Sequence, residues 1–470
     1  MAQTYLTGTV PVRPGVYFRR TADGVTVQPA INGVLAVLYH SNWGALNKVF
    51  DIDQTMINNL EDYVGDAAQV IREGLIGGAT TVRAVRVGTG GKESSVKLKN
   101  TAATPANCVE LSARYVGNRE FDVTIKTNSI TGKRQVMILD GDNLFEQVEF
   151  EPGGNEAEKM VNAFANNRFF VAKKLVDGTL ADVAQAVTMT GGTDPTVNAA
   201  AYIKGTEILE RYRWNVIVAD SDDSDIQSKI YDFVKQSYET GHLGMCVIAG
   251  KSSQTLEDRM STAKSINDEK VVYVLNGWIG NDGTVYEGYP AAARIGGMIA
   301  GSESNTSVAH LVIQNALELI EPLTNGEIIK AEESGCLVVS LNEDDQVILD
   351  NAINTLITPG NNMDEGWKKI RRTKTRFELI YRVNRTCERL IGRLTNNTNG
   401  RATILAAMQG IINEMIGENK LFAGSYAAED EVHRPEGDKA YFVLYISDID
   451  SMEKIFINYN FTYGNRFAVA

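Results

Sequence analysis

The sequence predicts a multidomain α/β and α+β protein, with a largely parallel sheet, a mostly-β insertion, an α+β C-terminal region and an extended N-terminal arm. Three observations predict it. First, apolar runs at 31–39 and 81–87 flank a helical stretch, 53–72, in which Met56, Leu60, Tyr63, Val64 and Ala67 share a face. That is one βαβ-like unit. Second, helix and strand alternate again from about Val197: helices at 200–211, 225–240 and 254–266, strands at 214–220, 245–250 and 270–277. Short apolar strands separated by helices imply a parallel sheet covered on both faces. Third, strand signals dominate in between, at 96–98, 121–126, 135–139 and 147–150, with one helix around 157–166.

The expected organisation follows from these shifts in texture. Residues 1–22 form an arm, 23–92 the first α/β part, 93–192 the insertion, 193–357 the α/β domain and 358–470 the α+β region. Pro11 and Pro14 among Val10, Val12 and Val16 favour extended backbone in the arm. At about 3.3 Å per residue it could reach roughly 60 Å. The segment 327–333 reads as a helix, and 337–341 with 346–349 as a hairpin.

Composition removes several function classes. With 470 residues, 43% hydrophobic and 22% charged, the chain has the profile of a globular protein. No run approaches the roughly 20 apolar residues of a membrane span, and Met1–Tyr5 lacks the pattern of a secretory signal. Cys108, Cys246, Cys336 and Cys387 show no metal-ligand spacing and read as free thiols. A net charge of −13 argues against nucleic-acid binding by the whole molecule.

Catalytic and metal motifs are missing. His40, His242, His310 and His433 are scattered, and a catalytic pair would need His242 or His310 beside a serine. There is no G-x-S-x-G element. Gly88 to Lys92 lacks the spacing and the Ser/Thr of a phosphate loop, and reads as a domain-junction turn. Asp220, Asp222, Asp223 and Asp225 miss a calcium-loop pattern and suit helix capping. The expectation is a non-enzyme without cofactor or metal.

The strongest signals lie near the C-terminus. Between Gly366 and Arg393 ten cations face only Glu378 and Glu388, a local charge of +8. Ile380, Val383, Cys387, Leu390 and Leu394 form one helical stripe, and Arg382, Arg385, Arg389 and Arg393 fall about 200° away from it. These four arginines are therefore expected to face outward, toward an acidic protein or phosphate, and to be dispensable for folding. Further on, Ile455, Ile457, Tyr459, Phe461 and Tyr463 alternate with Phe456, Asn458, Asn460 and Thr462, the period of a half-buried strand. Residues 441–446 are its expected hairpin partner, and its free edge could add to another subunit.

Read together, these features resemble the tail sheath proteins of contractile bacteriophages and phage-tail-like particles. Arg13-Pro14-Gly15-Val16-Tyr17 is similar to an element after that family's N-terminal arm. Thr324-Asn325-Gly326-Glu327, Glu333-Ser334-Gly335, Leu337-Val338-Val339 and Ile353-Asn354-Thr355-Leu356 resemble the close of its central domain. Lys369-Ile370-Arg371-Arg372, Asn396 to Arg401 and Asp450 to Ile455 resemble its C-terminal region. The insertion is the least matched part.

The resemblance implies a subtilisin-like central sheet without peptidase activity. It implies a homo-oligomer of hexameric rings, stacked helically around an inner tail tube, with baseplate and tail terminator proteins as further partners. Assembly would take place in a host bacterial cytoplasm, to form a virion tail or tail-like particle. Val10, Val12, Val16 and Tyr17 of the arm, and Ile455, Ile457, Tyr459, Phe461 and Tyr463 of the last strand, would exchange between subunits, with Gly15 and Gly464 as flexible points. Arg382, Arg385, Arg389 and Arg393 would meet the tube. The alternative is a nucleic-acid-binding protein that uses the basic helix at 366–393.

Overall fold

The computed structural model describes residues 33–361, 363–459 and 461, and the backbone of 3–4 and 17–18. The expected exchange residues Val10, Val12, Val16 and Tyr463, with Gly15 and Gly464, lie outside these described residues. Tyr17 is described by its backbone alone, in a two-residue parallel pairing of Gln3–Thr4 with Tyr17–Phe18.

The chain is a mixed α/β protein organised on a seven-stranded sheet. Its spatial order is Cys336–Leu337, Val271–Val274, Met245–Ala249, Val216–Ala219, Val34–Tyr39, Thr81–Arg86 and Val49–Asp53. All neighbours are parallel except Val49–Asp53, an antiparallel edge strand. Every residue of Val34–Tyr39 is buried, which is why it reads as one apolar run. Alternate side chains feed two cores. Leu35, Val37 and Tyr39 point to one, Val34, Ala36 and Leu38 to the other.

The helices Ala199–Leu209, Ser224–Glu239 and Leu256–Ile266 cover one face. Ala68–Gly77 and Tyr289–Gly301 cover the other. The expected helix at 53–72 is broken. Asp53 ends the edge strand and caps a 3₁₀ turn, Gln54–Asn59, and the chain reaches Ala68–Gly77 only after a second break at Gly65. Gly65 has φ +58°, and a Cβ there would lie 2.3 Å from Asn42 Oδ1. The sequence pattern carried the apolar spacing but not this turn.

Tyr289–Gly301, not anticipated from the sequence, is buried from Pro290 to Ala300. Its backbone lies directly against Ala68–Gly77, where Glu73 and Arg294 form a buried pair at 2.5 Å. Burial pushes the Glu73 carboxyl up, against the pull of Arg294. Glycines permit the approach: a Cβ on Gly297 would stand 2.2 Å from Gly74 O. Gly297→Ala should improve helix propensity by about 1 kcal/mol. It should nonetheless lower stability by about 1–3 kcal/mol through overpacking. The denaturation midpoint of the variant measures the balance, and a rise would refute the contact.

Residues 95–188 build two further sheets. One orders Asn143–Phe150, Arg134–Asp140, Asp122–Thr127 and Val183–Thr188; the other orders Phe170–Lys174, Asn107–Ala113 and Ser95–Lys99. The helix Glu156–Ala163 packs with them around Phe121, Ile138, Met160, Phe164 and Phe170. Trp43, from the loop after the first core strand, enters this cluster, with ring centroids 4.9 Å from Phe121 and 5.1 Å from Tyr115. Thr89 and Lys92 bridge by backbone to Thr196 and Thr193, so Gly88–Lys92 is a junction turn.

The C-terminal part holds two long helices, Ile370–Glu388 and Thr398–Gly417, and one antiparallel hairpin, Tyr426–Glu429 with Phe442–Tyr445. Leu379, Val383, Met408, Ile412, Met415 and Leu444 form their core. Phe442–Tyr445 thus pairs with an earlier strand, not with the final alternating segment as expected. That segment has no ladder among the described residues. Its described residues have no regular secondary structure, with Ile455 69%, Phe456 92% and Tyr459 72% exposed.

Candidate assembly surface

The basic helix is buried on two sides rather than one. Phe377 packs with Trp367 and Tyr238 toward the central domain, while Leu379 and Val383 pack into the C-terminal core. A single apolar stripe therefore could not locate its outward face. The helix ends at Glu388, so Leu390 and Leu394 lie beyond it.

Seven of its ten cations are engaged within the chain. Lys368 pairs with Glu365 at 2.5 Å, and Lys369 with Asp450 and Glu453 at 2.9 and 2.8 Å. Arg371 donates to Ile449 O. Arg372 makes a two-pronged contact with Asp448, both distances 2.8 Å, and Arg376 reaches Asp448 and Asp364. Together they clamp the strap 448–453, after which the exposed arm begins. Burial is the largest single influence on the Asp448 carboxyl and raises it, but the guanidinium groups of Arg372 and Arg376 together outweigh it and hold the carboxyl at about 2.

Lys374 faces the other way. Its ammonium donates to Ile299 O, Ser302 O and Ser302 Oγ at 2.5, 2.6 and 2.7 Å, tying the helix to the end of Tyr289–Gly301. Burial lowers it to about 7. Thr375 donates to Ser304 O at 2.6 Å, and Ser304 Oγ donates to Glu378. The strap, the basic helix and the central domain are thereby joined by an unbroken run of polar contacts.

Arg382, expected to face outward, is 3% exposed. It pairs with Glu378 at 2.6 Å, Glu418 at 2.8 Å and Glu414 at 3.6 Å, and Lys420 also reaches Glu378 and Glu418. The i+4 partner Glu378 was visible in the sequence; the glutamates of the following helix were not identifiable as partners. Arg385, Arg389 and Arg393 are exposed and make no ion pair among the described residues. The sequence reading also missed Asp448, Asp450 and Glu453. Their signal was an acidic block following a basic one, the local complementarity that folds a chain onto itself.

The remaining polar candidates have local duties. His40 Nδ1 lies 2.7 Å from the buried Asp220 carboxylate, which also accepts from Tyr202 at 2.5 Å. This couples the ends of two adjacent core strands and raises the His40 pKa, chiefly through the Asp220 hydrogen bond. The neighbouring Ser41 hydroxyl donates to Val64 O, away from this histidine–aspartate pair. Asp223 caps Ser224–Glu239, and Asp222 accepts from Tyr289 N and pairs with Lys251 at 2.6 Å. Among the described residues, no group of three or more His, Cys, Asp or Glu side chains is placed to hold a metal. No described helix is long and apolar enough to cross a membrane. The cysteines are free thiols, and burial pushes Cys336 and Cys387 up to about 12.

Comparison with known proteins shows what the central segment is similar to. Residues 196–355 match the model of the phage tail sheath protein central domain. This segment resembles that domain. Its bounds take in the core strands from Val216–Ala219 to Cys336–Leu337, the helix Tyr289–Gly301 and the Ile353–Thr355 element.

The sheath likeness in fold extends over nearly the whole chain. The sheath tail protein of Desulfitobacterium hafniense is similar with a TM-score of 0.70 at 18% identity, over 93% of this chain and 100% of that one. The sheath tail protein Lin1278 of Listeria innocua gives 0.66 at 18%, over 90% and 96%. The helical sheath of the anti-feeding prophage in its contracted state gives 0.53 at 10% identity, over 96% and 99%. In sequence, the chain is also 23% identical over 370 residues to the uncharacterized protein YqbK of Bacillus subtilis (strain 168), covering 75% of each.

Proposed function

We propose that this protein is the structural subunit of a contractile tail sheath. Subunits polymerise as stacked hexameric rings around an inner tail tube, and contraction drives the tube through a target envelope. The observation that carries this reading is the exposed apolar chain at Ile455, Phe456, Ile457, Tyr459 and Phe461, together with a two-stranded hairpin, Tyr426–Glu429 and Phe442–Tyr445, that no third strand joins among the described residues. Unpaired edges and loose apolar strands are the two halves of strand addition between copies. Such a heterologous contact extends into rings and helices.

In this reading Ile455, Ile457, Tyr459, Phe461 and Tyr463, with Val10, Val12, Val16 and Tyr17, join neighbouring subunits. Arg385, Arg389 and Arg393 face an acidic tube. Arg382 leaves the contact set because its charge is already neutralised inside. The parallel sheet with helices on both faces supports a subtilisin-like description of the central domain. Baseplate and terminator proteins complete the particle, assembled in a bacterial host. The nucleic-acid alternative is weakened, because seven of its ten cations have intramolecular partners.

Contraction then swings subunits as rigid bodies while the exchanged strands stay attached. The clamp on 448–453 supports a flexible point of the C-terminal arm at Lys454, where the clamp ends. Truncation before Lys454 should leave a monomer whose thermal midpoint is unchanged, yet abolish tubular polymers in negative-stain electron microscopy. Removing residues 1–18 should have the same effect. Striated cylinders from either truncation would overturn strand exchange.

A further inference from the structure

A cleft of about 200 Å³ lies between the basic helix and the amino ends of the core strands that begin at Val216 and Met245. Arg213, Trp214, Tyr381, Asn384 and Arg385 line it. The Arg213 guanidinium lies 3.9 Å from the centre of the Tyr381 ring. Neither Arg213 nor Arg385 makes an ion pair among the described residues. Burial, and then the like charge of Arg385, press the Arg213 pKa down; Glu388 opposes this in part.

One buried donor in the wall is also unmet, and the amide of Asn384 stands free beside it. Trp214 is 3% exposed, and its indole Nε1–H has no acceptor. Asn384 is 8% exposed, and its side-chain amide has no partner among the described residues. Buried donors without acceptors are uncommon and call for an explanation. The wall is rigid. His242 stacks on Trp214 at 4.3 Å, and loss of solvation lowers its pKa to about 4, so the stacked ring is neutral near pH 7.

We propose that this cleft is a carboxylate site, which receives an aspartate or glutamate side chain from an acidic partner surface. Two guanidinium groups offer the planar, two-pronged donor geometry that a carboxylate accepts. The indole and amide N–H groups add donors in a partly dry site, where each hydrogen bond counts for more than in water. Glu210 and Glu388 stand exposed on the rim and disfavour anions that do not reach the floor. The site shares Arg385 with the proposed tube contact but needs no tube to be tested.

The test uses the full chain labelled with 5-fluorotryptophan, whose four resonances report Trp43, Trp214, Trp278 and Trp367. Trp214→Phe assigns the relevant signal. A blocked Gly-Glu-Gly peptide is titrated against its Gly-Gln-Gly counterpart, acetate and inorganic phosphate. The glutamate peptide, and acetate more weakly, should move the Trp214 resonance saturably and leave the other three in place. Arg213→Gln with Arg385→Gln should weaken that response roughly tenfold or more, while the other resonances report an intact fold. A static Trp214 signal, an equal response to Gly-Gln-Gly, a response that survives the double substitution, or phosphate binding at least as strong would each overturn the carboxylate assignment. Tube formation and sheath coating are measured separately, so failure here leaves the assembly reading standing.

Discussion

Asp448→Asn is expected to release the C-terminal strap while the central domain stays folded. Asp448 is nearly buried and accepts from Arg372 at 2.8 and 2.8 Å and from Arg376 at 3.1 and 3.0 Å. An asparagine keeps the shape but leaves two largely enclosed guanidinium groups short of a counter-charge. Breaking one side of a buried pair costs about 3–5 kcal/mol. Multidomain chains commonly do not unfold as one unit, so the cost is expected as local opening rather than as a shift of the main transition. Amide exchange at 447–453 should accelerate by roughly two to nearly four decades, at 1.36 kcal/mol per decade.

The pH dependence has a defined sign. The carboxyl's folded value of about 2 lies below its ordinary 3.8. The clamp is therefore fully present above 3.8 and is lost as pH falls toward 2. Arg372→Lys should fall between wild type and Asp448→Asn, because an ammonium keeps the charge but not the paired prongs. Protection at 447–453 that is indifferent to Asp448→Asn would remove the clamp from the account. It would also remove the reason for placing the arm's flexible point at Lys454.

How far the sequence could be read follows the range of the interactions involved. The core strands were legible because burial on both faces writes an uninterrupted apolar run, as in Val34–Tyr39. The helix Tyr289–Gly301 was not, because burial on every side erases the periodicity that marks a helix, and its Gly and Ala residues look like a loop. The strand Val183–Thr188 was missed because it mixes polar and apolar residues without clean alternation, whereas Asn107–Ala113 was missed although Val109 to Ala113 alternate. The terminal hairpin was misassigned because adjacency in sequence favoured 441–446 with the last segment, whereas Tyr426–Glu429 supplies the actual ladder. At the assembly surface the charge excess was visible but its destination was not. A helical wheel assumes one buried face, and Ile370–Glu388 has two. The carboxylate cleft had no sequence signal at all, since Arg213 and Arg385 meet only through the packing of a distant helix on the sheet.

That distinction gives the sharpest contrast between neighbouring arginines in and just after one helix. Arg382→Glu would put a fourth carboxylate beside Glu378, Glu414 and Glu418, with Lys420 the remaining cation in contact with Glu378 and Glu418. Removal of the partner alone costs about 3–5 kcal/mol, and reversal of its charge costs more. The helices Ile370–Glu388 and Thr398–Gly417 should come apart, seen as lost helical signal and rapid proteolysis within 370–445. The triple change of Arg385, Arg389 and Arg393 to Glu touches no described ion pair, and surface substitutions of that kind usually stay within about 0.5 kcal/mol each. The triple variant should therefore unfold nearly as wild type does, yet fail to coat an acidic inner tube in electron micrographs. Exposed pairs at such a contact, each worth less than about 1 kcal/mol, can hold an extended sheath collectively and still release one after another on firing. Undiminished coating by the triple variant would move the tube contact off this helix, and a well-folded Arg382→Glu protein would show that the glutamate cluster does not hold the two helices together.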